Sequence, residues 1–185
     1  RLAGLTLNLL VRRGKYLLFD FGSVTQIVHL GMSGSLRFAK PGEPAALHDH
    51  VDWLFDDGIT LRLRDPRRFG AVLWTDDVAR HPLLAHLGPE PLTPAFDATY
   101  LHAQCQRRSA AIKQVIMDAQ VVVGVGNIYA SESLFQAGIR PATVARRLSR
   151  PACARLVEAI RQVLTAAIAA GGSSLRDYVA SDGEL

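Results

Sequence analysis

The sequence predicts an α+β fold in which an antiparallel β-sandwich is followed by an all-α domain. In residues 1–75, short runs rich in Leu, Val and Ile are bounded by Gly, Ser or charged residues, which is the pattern of strands. From residue 96 onward, apolar residues recur at helical spacing instead. The proline-rich segment 76–94 is expected to be a linker with a short helix at most. Domains are therefore predicted at residues 1–90 and 91–185.

Six short strands are predicted in the first domain. The Asp57-Gly58 dipeptide indicates a hairpin between two of them, because glycine tolerates a positive φ in such a turn. Connections this short favour antiparallel pairing in a sandwich. The strands are expected at Leu5–Val11, Lys15–Phe21, Thr25–Leu30, Val51–Phe55, Ile59–Arg64 and Ala71–Trp74.

Four helices are predicted in the second domain. Tyr100 and Leu101 mark the apolar face of the first. Ser109 is expected to cap the second, which runs through Met117. The apolar segment Gln120–Gly126 contains two glycines and is expected to be a buried turn. The third helix is expected at Asn127–Ala137 and is ended by Gly138. The fourth helix is expected to begin at a Ser149 cap, with Pro151 in its first turn, and to end at Gly171-Gly172.

Charge and composition allow a nucleic-acid partner without requiring one. The 185 residues are 49% hydrophobic, enough for one large or two small cores, and the formal net charge is +4. The basic residues are nearly all arginine, whose planar fork suits phosphate, although genome composition can produce the same bias. No apolar run of membrane-spanning length and no signal peptide is visible, so no membrane span is expected; a cytoplasmic protein is expected because the two cysteines fit a reducing compartment.

The cysteines and the chain ends give two further expectations. Cys105 and Cys153 lie in helical patterns without metal-ligand spacing, so both are expected to be buried, reduced thiols. The chain begins on Arg1, without methionine, and ends on Ser181–Leu185 with no closing element. Both ends are therefore expected to be cuts within a longer protein.

Two turns carry side chains that suit the recognition of damaged DNA. In His29–Arg37, glycines on either side of Met32 predict a tight turn that exposes its side chain; a hairpin with Met32 in the core is the alternative. Asp65–Gly70 places two guanidinium groups and the ring of Phe69 between a proline and a glycine. Apolar and planar side chains can fill the gap left by an extruded base. The alternative is a surface turn with solvated arginines and Phe69 turned inward.

The His48-Asp49-His50 segment raises the possibility of a metal site. On a strand, residues 48 and 50 would share one face while 49 points away, and no third ligand is near in sequence. We therefore predict no metal site, and favour a phosphate contact by one histidine. A strand-entry turn with solvated polar groups is the alternative.

A glycine-rich turn, residues 123–126, leads to Asn127 at a predicted helix start. Free N–H groups and the helix dipole favour an anion there. Lys113 in the preceding helix could reach the same phosphate, or it could be an ordinary solvated lysine. The Gly-x-Gly pattern is not a dinucleotide fingerprint, because the third glycine and the preceding parallel strand are missing.

Together these segments resemble the bacterial formamidopyrimidine-DNA glycosylase family over essentially the whole chain. They follow the order and spacing of that family. The endonuclease VIII group is similar in its Gly-x-Gly-Asn turn, but the methionine turn and the His-Asp-His segment favour the first family. The matching segments are Arg12–Leu18, His29–Arg37, His48–His50, Asp65–Gly70, Leu87–Leu92, Gly124–Pro141 and Gly171–Tyr178.

The resemblance implies a β-sandwich joined to a helix-two-turn-helix domain. It implies excision of 8-oxoguanine and formamidopyrimidines from double-stranded DNA, followed by strand cleavage at the abasic site, by a monomer. It also implies an N-terminal proline nucleophile with a catalytic glutamate, and a zinc finger, both outside this chain. Zn is thus expected only in a segment after Leu185, and the chain alone is expected to be inactive. The alternatives are a truncated, non-catalytic module that binds damaged DNA and a scaffold with no DNA role.

The resemblance also assigns roles to residues. Lys15 matches a catalytic lysine that contacts phosphate and takes part in elimination. Met32, Arg67 and Phe69 match the side chains that fill the gap of the flipped base. The DNA-binding positions that match are His48, Arg67, Ser109, Lys113 and Asn127, and residues 171–185 match the start of the loop that closes over the damaged base.

One position departs from the family. The family commonly has Lys or Arg where this chain has Ser109, which puts one phosphate contact in doubt. Arg108, immediately before it, could substitute.

Overall fold

The computed structural model describes residues 2–171 and shows two compact units that divide between Ala85 and His86. The first unit consists of β-strands and the second of helices, as the sequence predicts. The Leu87–Leu92 segment therefore groups with the helices. Residues 76–97 contain neither a helix nor a strand, so the linker has no helix of its own.

The first unit contains seven strands in two antiparallel sheets. One sheet has the order β1-β2-β3-β7 and the other β4-β6-β5. Every strand pairing in both sheets is antiparallel. The strands are β1 Leu9–Arg13, β2 Tyr16–Asp20, β3 Thr25–His29, β4 Ser35–Ala39, β5 Asp49–Leu54, β6 Thr60–Arg64 and β7 Ala71–Thr75.

Side chains from both sheets meet in one core, which makes the unit a sandwich. The rings of Phe19 and Trp53 stack with their centroids 5.7 Å apart. The indole N–H of Trp53 donates to the side-chain oxygen of Gln26 at 2.5 Å, so the buried polar atoms of both residues are satisfied. Val28 and Leu63 complete the buried cluster from opposite sheets.

Three details of the predicted strands differ from the structure. Strand β4 is absent from the prediction; none of its residues is buried, and they form no continuous apolar run. Strand β1 begins at Leu9 rather than Leu5, because it extends only as far as its pairing with β2, where Leu9 faces Asp20. Lys15 was placed in a strand, but it lies in the two-residue turn between β1 and β2, since Arg13 pairs with Tyr16.

In residues 86–171, the second unit has four α-helices and a short 3-10 helix at Ala145–Arg147. Their apolar faces share a single core that includes Phe96, Leu101, Ile116, Leu134 and Ile160, all fully buried. The segment before the first helix is tied to this core by Arg161, whose guanidinium donates to the carbonyls of Thr93 and Phe96 at 3.0 and 2.8 Å. The helices are α1 Ala98–Gln106, α2 Ile112–Met117, α3 Asn127–Gln136 and α4 Arg150–Ala169.

The predicted cap of α2 is wrong, whereas that of α4 is confirmed. Ser149 accepts a hydrogen bond from the N–H of Ala152, three residues on, and so caps α4. Helix α2 begins only at Ile112, after Ala111, and has no side-chain cap. Its first N–H groups donate instead to backbone carbonyls of Thr143 and Pro141, so tertiary contacts replace the Ser109 cap.

The buried turn and the two cysteines follow the prediction. Val121, Val122, Val123 and Val125 are buried around the turn between α2 and α3. Cys105 and Cys153 are both free and fully buried. Within residues 2–171, the helices are too short or too polar to cross a membrane.

Candidate nucleic-acid interface

The methionine turn connects β3 to β4 and exposes its central side chain. Met32 is 70% exposed, which rules out its placement in the core. Gly31 has φ +65°, and a Cβ there would lie 2.5 Å from the backbone carbonyl carbon of Phe69. A side chain at Gly31 would therefore push the two turns apart, so glycine permits their direct contact.

The Asp65–Gly70 turn presents Arg67 and Phe69 beside the methionine turn. Phe69 is 57% exposed, so it is not turned inward. The guanidinium carbon of Arg67 lies 4.8 Å from the centroid of the Phe69 ring, within the range of a cation–π contact. Between them, Arg68 has φ +55°, a conformation that is unusual for a residue with a side chain.

A buried carboxylate joins these two turns. Asp65 is only 3% exposed. One carboxylate oxygen accepts the hydroxyl of Ser33 at 2.6 Å, and the other accepts the N–H of Gly70 at 2.7 Å. The Ser33 oxygen in turn accepts the N–H of Arg67 at 3.2 Å. The hydrogen bond from Ser33 lowers the pKa of Asp65; burial opposes this, and backbone N–H groups of the turn lower it further.

The His-Asp-His segment crosses from a turn into a strand: His48 lies in the turn, and Asp49 and His50 begin β5. His48 has φ +77°, and a β-bulge interrupts the pairing of β5 between Asp49 and Val51. His48 lies in the turn that leads into β5 and His50 lies at the bulge, so the alternation of a regular strand does not apply to these two residues. The carbonyl of His48 accepts the N–H of Asp65 at 2.9 Å, and the ring of His50 bonds to the carbonyl of Asp65 at 3.0 Å.

A network of charged residues holds the loop before His48 against the second sheet. Arg62 is 3% exposed and makes two 2.7 Å bonds to Asp52. The same guanidinium donates to the carbonyls of Glu43 and Pro44 at 3.1 and 3.0 Å. A 2.6 Å ion pair with Arg37 lowers the pKa of Glu43 to about 2.

Lys15 is exposed at the tip of the β1–β2 hairpin, and its charge acts on His29. Burial lowers the pKa of His29, and the positive charge of Lys15 lowers it further. The His29 ring lies 5.1 Å from that of Tyr16, and its Nδ1 accepts the N–H of Gly31 at 3.2 Å. His29 thus connects the Lys15 hairpin to the start of the methionine turn.

In the helical unit, the predicted phosphate-binding residues lie on consecutive helices that pack together. Lys113 is half-buried in the first turn of α2. Asn127 is exposed and is the first residue of α3, after a Gly126 cap that supplies no side chain. The position of Asn127 at a helix start is as the sequence predicts.

Ser109 is exposed in the connection between α1 and α2, and Arg108 does not point freely to solvent beside it. The guanidinium of Arg108 donates to the carbonyl and the side-chain oxygen of Gln104, at 2.8 and 2.6 Å. Arg108 is therefore held against the end of α1. The neighbouring Arg107 is exposed.

Sequence reasoning missed Asp65, Ser33 and the Arg62 network. An acidic residue before a proline gave no signal of burial, although Asp65 opens the turn that carries Arg67 and Phe69. Among residues 2–171, no group of three or more potential ligands could hold a metal ion. The predicted loop over the damaged base lies outside the described residues, except for Gly171.

Comparisons with known proteins identify the class and then the family. A family model described as "Formamidopyrimidine-DNA glycosylase N-terminal domain" matches residues 1–72. A second, "Formamidopyrimidine-DNA glycosylase H2TH domain", matches residues 87–179. These models define a class of base-excision DNA repair glycosylases that join a β domain to a helix-two-turn-helix domain. The chain belongs to the formamidopyrimidine-DNA glycosylase family.

Individual relatives agree with this assignment. A formamidopyrimidine-DNA glycosylase of Thiobacillus denitrificans is 77% identical over all 185 residues, which cover 68% of that protein. The Lactococcus lactis enzyme, solved non-covalently bound to DNA containing an AP site, is 33% identical with a TM-score of 0.85; the match covers 95% of this chain and 68% of that one. MutM in complex with DNA containing carbocyclic 8-oxo-G is 34% identical with a TM-score of 0.86, over 95% and 67%. The chain thus spans about two thirds of the length of these relatives.

Proposed function

We propose that this protein removes oxidised purines, such as 8-oxoguanine and formamidopyrimidines, from double-stranded DNA and then cleaves the strand at the abasic site. One observation supports this most directly. Met32, Arg67 and Phe69 lie on two touching turns, and the apolar groups among them are exposed. A soluble domain gains nothing in stability from such exposure, whereas a protein that extrudes a base needs side chains to fill the gap.

The three side chains have complementary parts in this proposal. Met32 is flexible and apolar, so it adapts to the space left by the extruded base. Phe69 offers a flat ring that stacks on a neighbouring base. Arg67, held over that ring, keeps its donors available for the base opposite the gap. Together they offset part of the few kcal/mol that unstacking costs.

The remaining predicted residues are proposed to hold the phosphate backbone. Lys15, His48 and Lys113 supply positive or hydrogen-bonding groups, and Asn127 adds an amide at the start of α3. Such contacts give affinity without sequence preference and weaken as salt rises. Ser109 offers only a hydroxyl, so we propose a weaker contact at that position than a lysine would make.

The chemistry proposed for the whole protein passes through a Schiff base. An amine attacks the sugar carbon, the base leaves, and the resulting iminium accepts electrons while the phosphates are eliminated. In the part of the chain that the structure describes, Lys15 is the predicted catalytic residue, with a phosphate contact and a part in the elimination, and it is exposed. We further propose that the protein acts as a monomer in the bacterial cytoplasm, associated with the nucleoid, and that zinc belongs to a zinc finger in a segment after Leu185.

A non-catalytic module that binds damaged DNA is the second candidate. The observation in its favour is that, within residues 2–171, several residues are predicted to contact DNA and only one, Lys15, is predicted to be catalytic. The two candidates share their recognition surface and differ in covalent chemistry, so a trapping experiment separates them.

The test is borohydride trapping of this chain on duplex DNA with an aldehydic abasic site. A covalent adduct that is lost in Lys15→Ala would show lyase chemistry at the hairpin lysine. Lys40→Ala removes another exposed lysine of the same unit and should leave the adduct unchanged. An adduct that persists in Lys15→Ala would point to the N-terminal amine of this chain. Absence of any adduct, with preferential binding to the abasic duplex, would favour the non-catalytic module.

A further inference from the structure

Asp65 is bonded to three turns of the sandwich unit: the methionine turn, its own turn at Asp65–Gly70, and the turn at His48 that leads into β5. Its carboxylate bonds to Ser33 of the methionine turn and to Gly70 of its own turn. Its backbone N–H and carbonyl bond to His48 and His50. The three turns carry all the predicted DNA-facing residues of this unit except Lys15.

The turns around Asp65 contain two unusual backbone conformations. His48 and Arg68 are the non-glycine residues with positive φ among those that the structure describes, at +77° and +55°. Both are bonded to Asp65 through the backbone: His48 through its carbonyl, and Arg68 through its N–H at 3.3 Å. Such conformations persist only where the surroundings hold them in place.

The contact between the turns leaves little space for adjustment. A Cβ at Gly31 would meet the Phe69 backbone at 2.5 Å, and one at Gly70 would meet the His29 carbonyl oxygen at 2.9 Å. The Ser33 hydroxyl completes the connection, since it donates to Asp65 and accepts from the N–H of Arg67. Movement of one turn is therefore transmitted to the other through close backbone contact and a shared polar group.

We propose that Asp65 is a positioning residue for damage recognition: through Ser33 and the backbone of its own turn, it holds Met32, Arg67 and Phe69 as one preformed wedge. This inference rests on the proposed function, because it presupposes that the three side chains enter damaged DNA. Asp65 is only 3% exposed, so it is proposed to act through these turns and not through a contact of its own with DNA. Its effect is to remove the cost of ordering separate loops when the duplex binds.

Binding to two duplexes tests the proposal with this chain. The measured quantity is the damage preference, defined as the affinity for a duplex with a stable abasic analogue divided by that for the intact duplex. We expect Asp65→Asn and Ser33→Ala each to lower the preference by about tenfold, since the wedge contributes only to the damaged duplex. Asp76→Asn, which removes an exposed acidic charge of the same unit, should leave it unchanged.

A general loss of stability would give a different result. It would lower the melting temperature and reduce binding to both duplexes in the same proportion, so the preference would not change. If Asp65→Asn does not fold, Ser33→Ala still tests the connection, because it leaves the buried carboxylate bonded to Gly70. An unchanged preference in a folded Ser33→Ala protein would overturn the inference.

Phe69→Ala separates this inference from the proposed function. If Phe69→Ala keeps the full preference, the wedge itself is wrong and the proposed function loses its main support. If Phe69→Ala lowers the preference but Ser33→Ala does not, only the positioning role fails. Positioning predicts that the double variant Ser33→Ala/Phe69→Ala loses less preference than the product of the two single losses, because either change alone already removes the contribution of Phe69.

Discussion

The two units present their predicted DNA-binding residues by different means. In the sandwich unit, Met32, His48 and Phe69 lie on turns that are held by buried polar groups, chiefly Asp65 and Arg62. In the helical unit, Lys113 and Asn127 lie on helices that are held by an apolar core. Hydrogen bonds fix direction over short distances, whereas apolar burial is non-directional and fixes whole elements. We infer that side chains that fill the gap of an extruded base need precise local geometry, whereas side chains that contact phosphate need only a stable scaffold.

The largest effect is expected on the stability of the helical unit, when a buried side chain of its apolar core is shortened. Leu134 is fully buried and the adjacent Phe135 is 89% exposed, so the two positions form a matched pair on α3. Leu134→Ala should lower the free energy of unfolding by about 2–5 kcal/mol because it leaves a cavity. Phe135→Ala should change it by less than about 0.5 kcal/mol. Urea unfolding measures both, and similar losses at the two positions would contradict the packing described for α3.

The two units should also differ in how their residues affect binding. Lys113→Ala should weaken binding to intact and abasic duplexes alike and reduce the log–log salt slope by about 0.9, the effect of one phosphate contact. Phe69→Ala should reduce binding mainly to the abasic duplex. Titrations at several salt concentrations measure both effects. A lesion-dependent effect of Lys113→Ala would show that the helical unit reads damage as well.

The two serines once expected to cap helices should behave differently. Ser149 caps α4, so Ser149→Ala should cost about 1 kcal/mol of unfolding free energy. Ser109 is exposed and caps no helix, so Ser109→Ala should leave stability nearly unchanged. Thermal unfolding of both variants tests this, and an equal loss at Ser109 would mean that α2 begins earlier than Ile112.

The ion pair between Arg37 and Glu43 should make the stability of the sandwich unit depend on pH. Because Arg37 lowers the pKa of Glu43 to about 2, the folded state gains stability from ionised Glu43. This contribution is fully present above the ordinary glutamate pKa of about 4.3 and is lost as pH falls toward 2. Comparison of wild type with Glu43→Gln between pH 6 and 2 should show a stability difference that shrinks in that window. A difference independent of pH would rule out the ion pair as its source.

The sequence by itself determined the order of the elements and several of their ends. Apolar runs between turn residues gave six of the seven strands, and Ser149 with Pro151 gave the start of α4, because these signals depend on neighbours along the chain. The exposure of Met32 was also predicted, although burial was an open alternative. The motif order was enough to identify the family, but the assigned roles of the site residues stay predictions.

Only the tertiary structure decided which polar residues are buried and what they hold. Asp65 is bonded to Ser33, 32 residues earlier, and Arg62 to the loop at Glu43, so neither role leaves a local signal. The start of α2 likewise depends on carbonyls of Pro141 and Thr143. A turn sequence predicts that the chain reverses, but its direction is set by partners that are distant in sequence. The close approach of the two turns that carry Met32, Arg67 and Phe69 therefore follows from tertiary hydrogen bonds and close backbone contact.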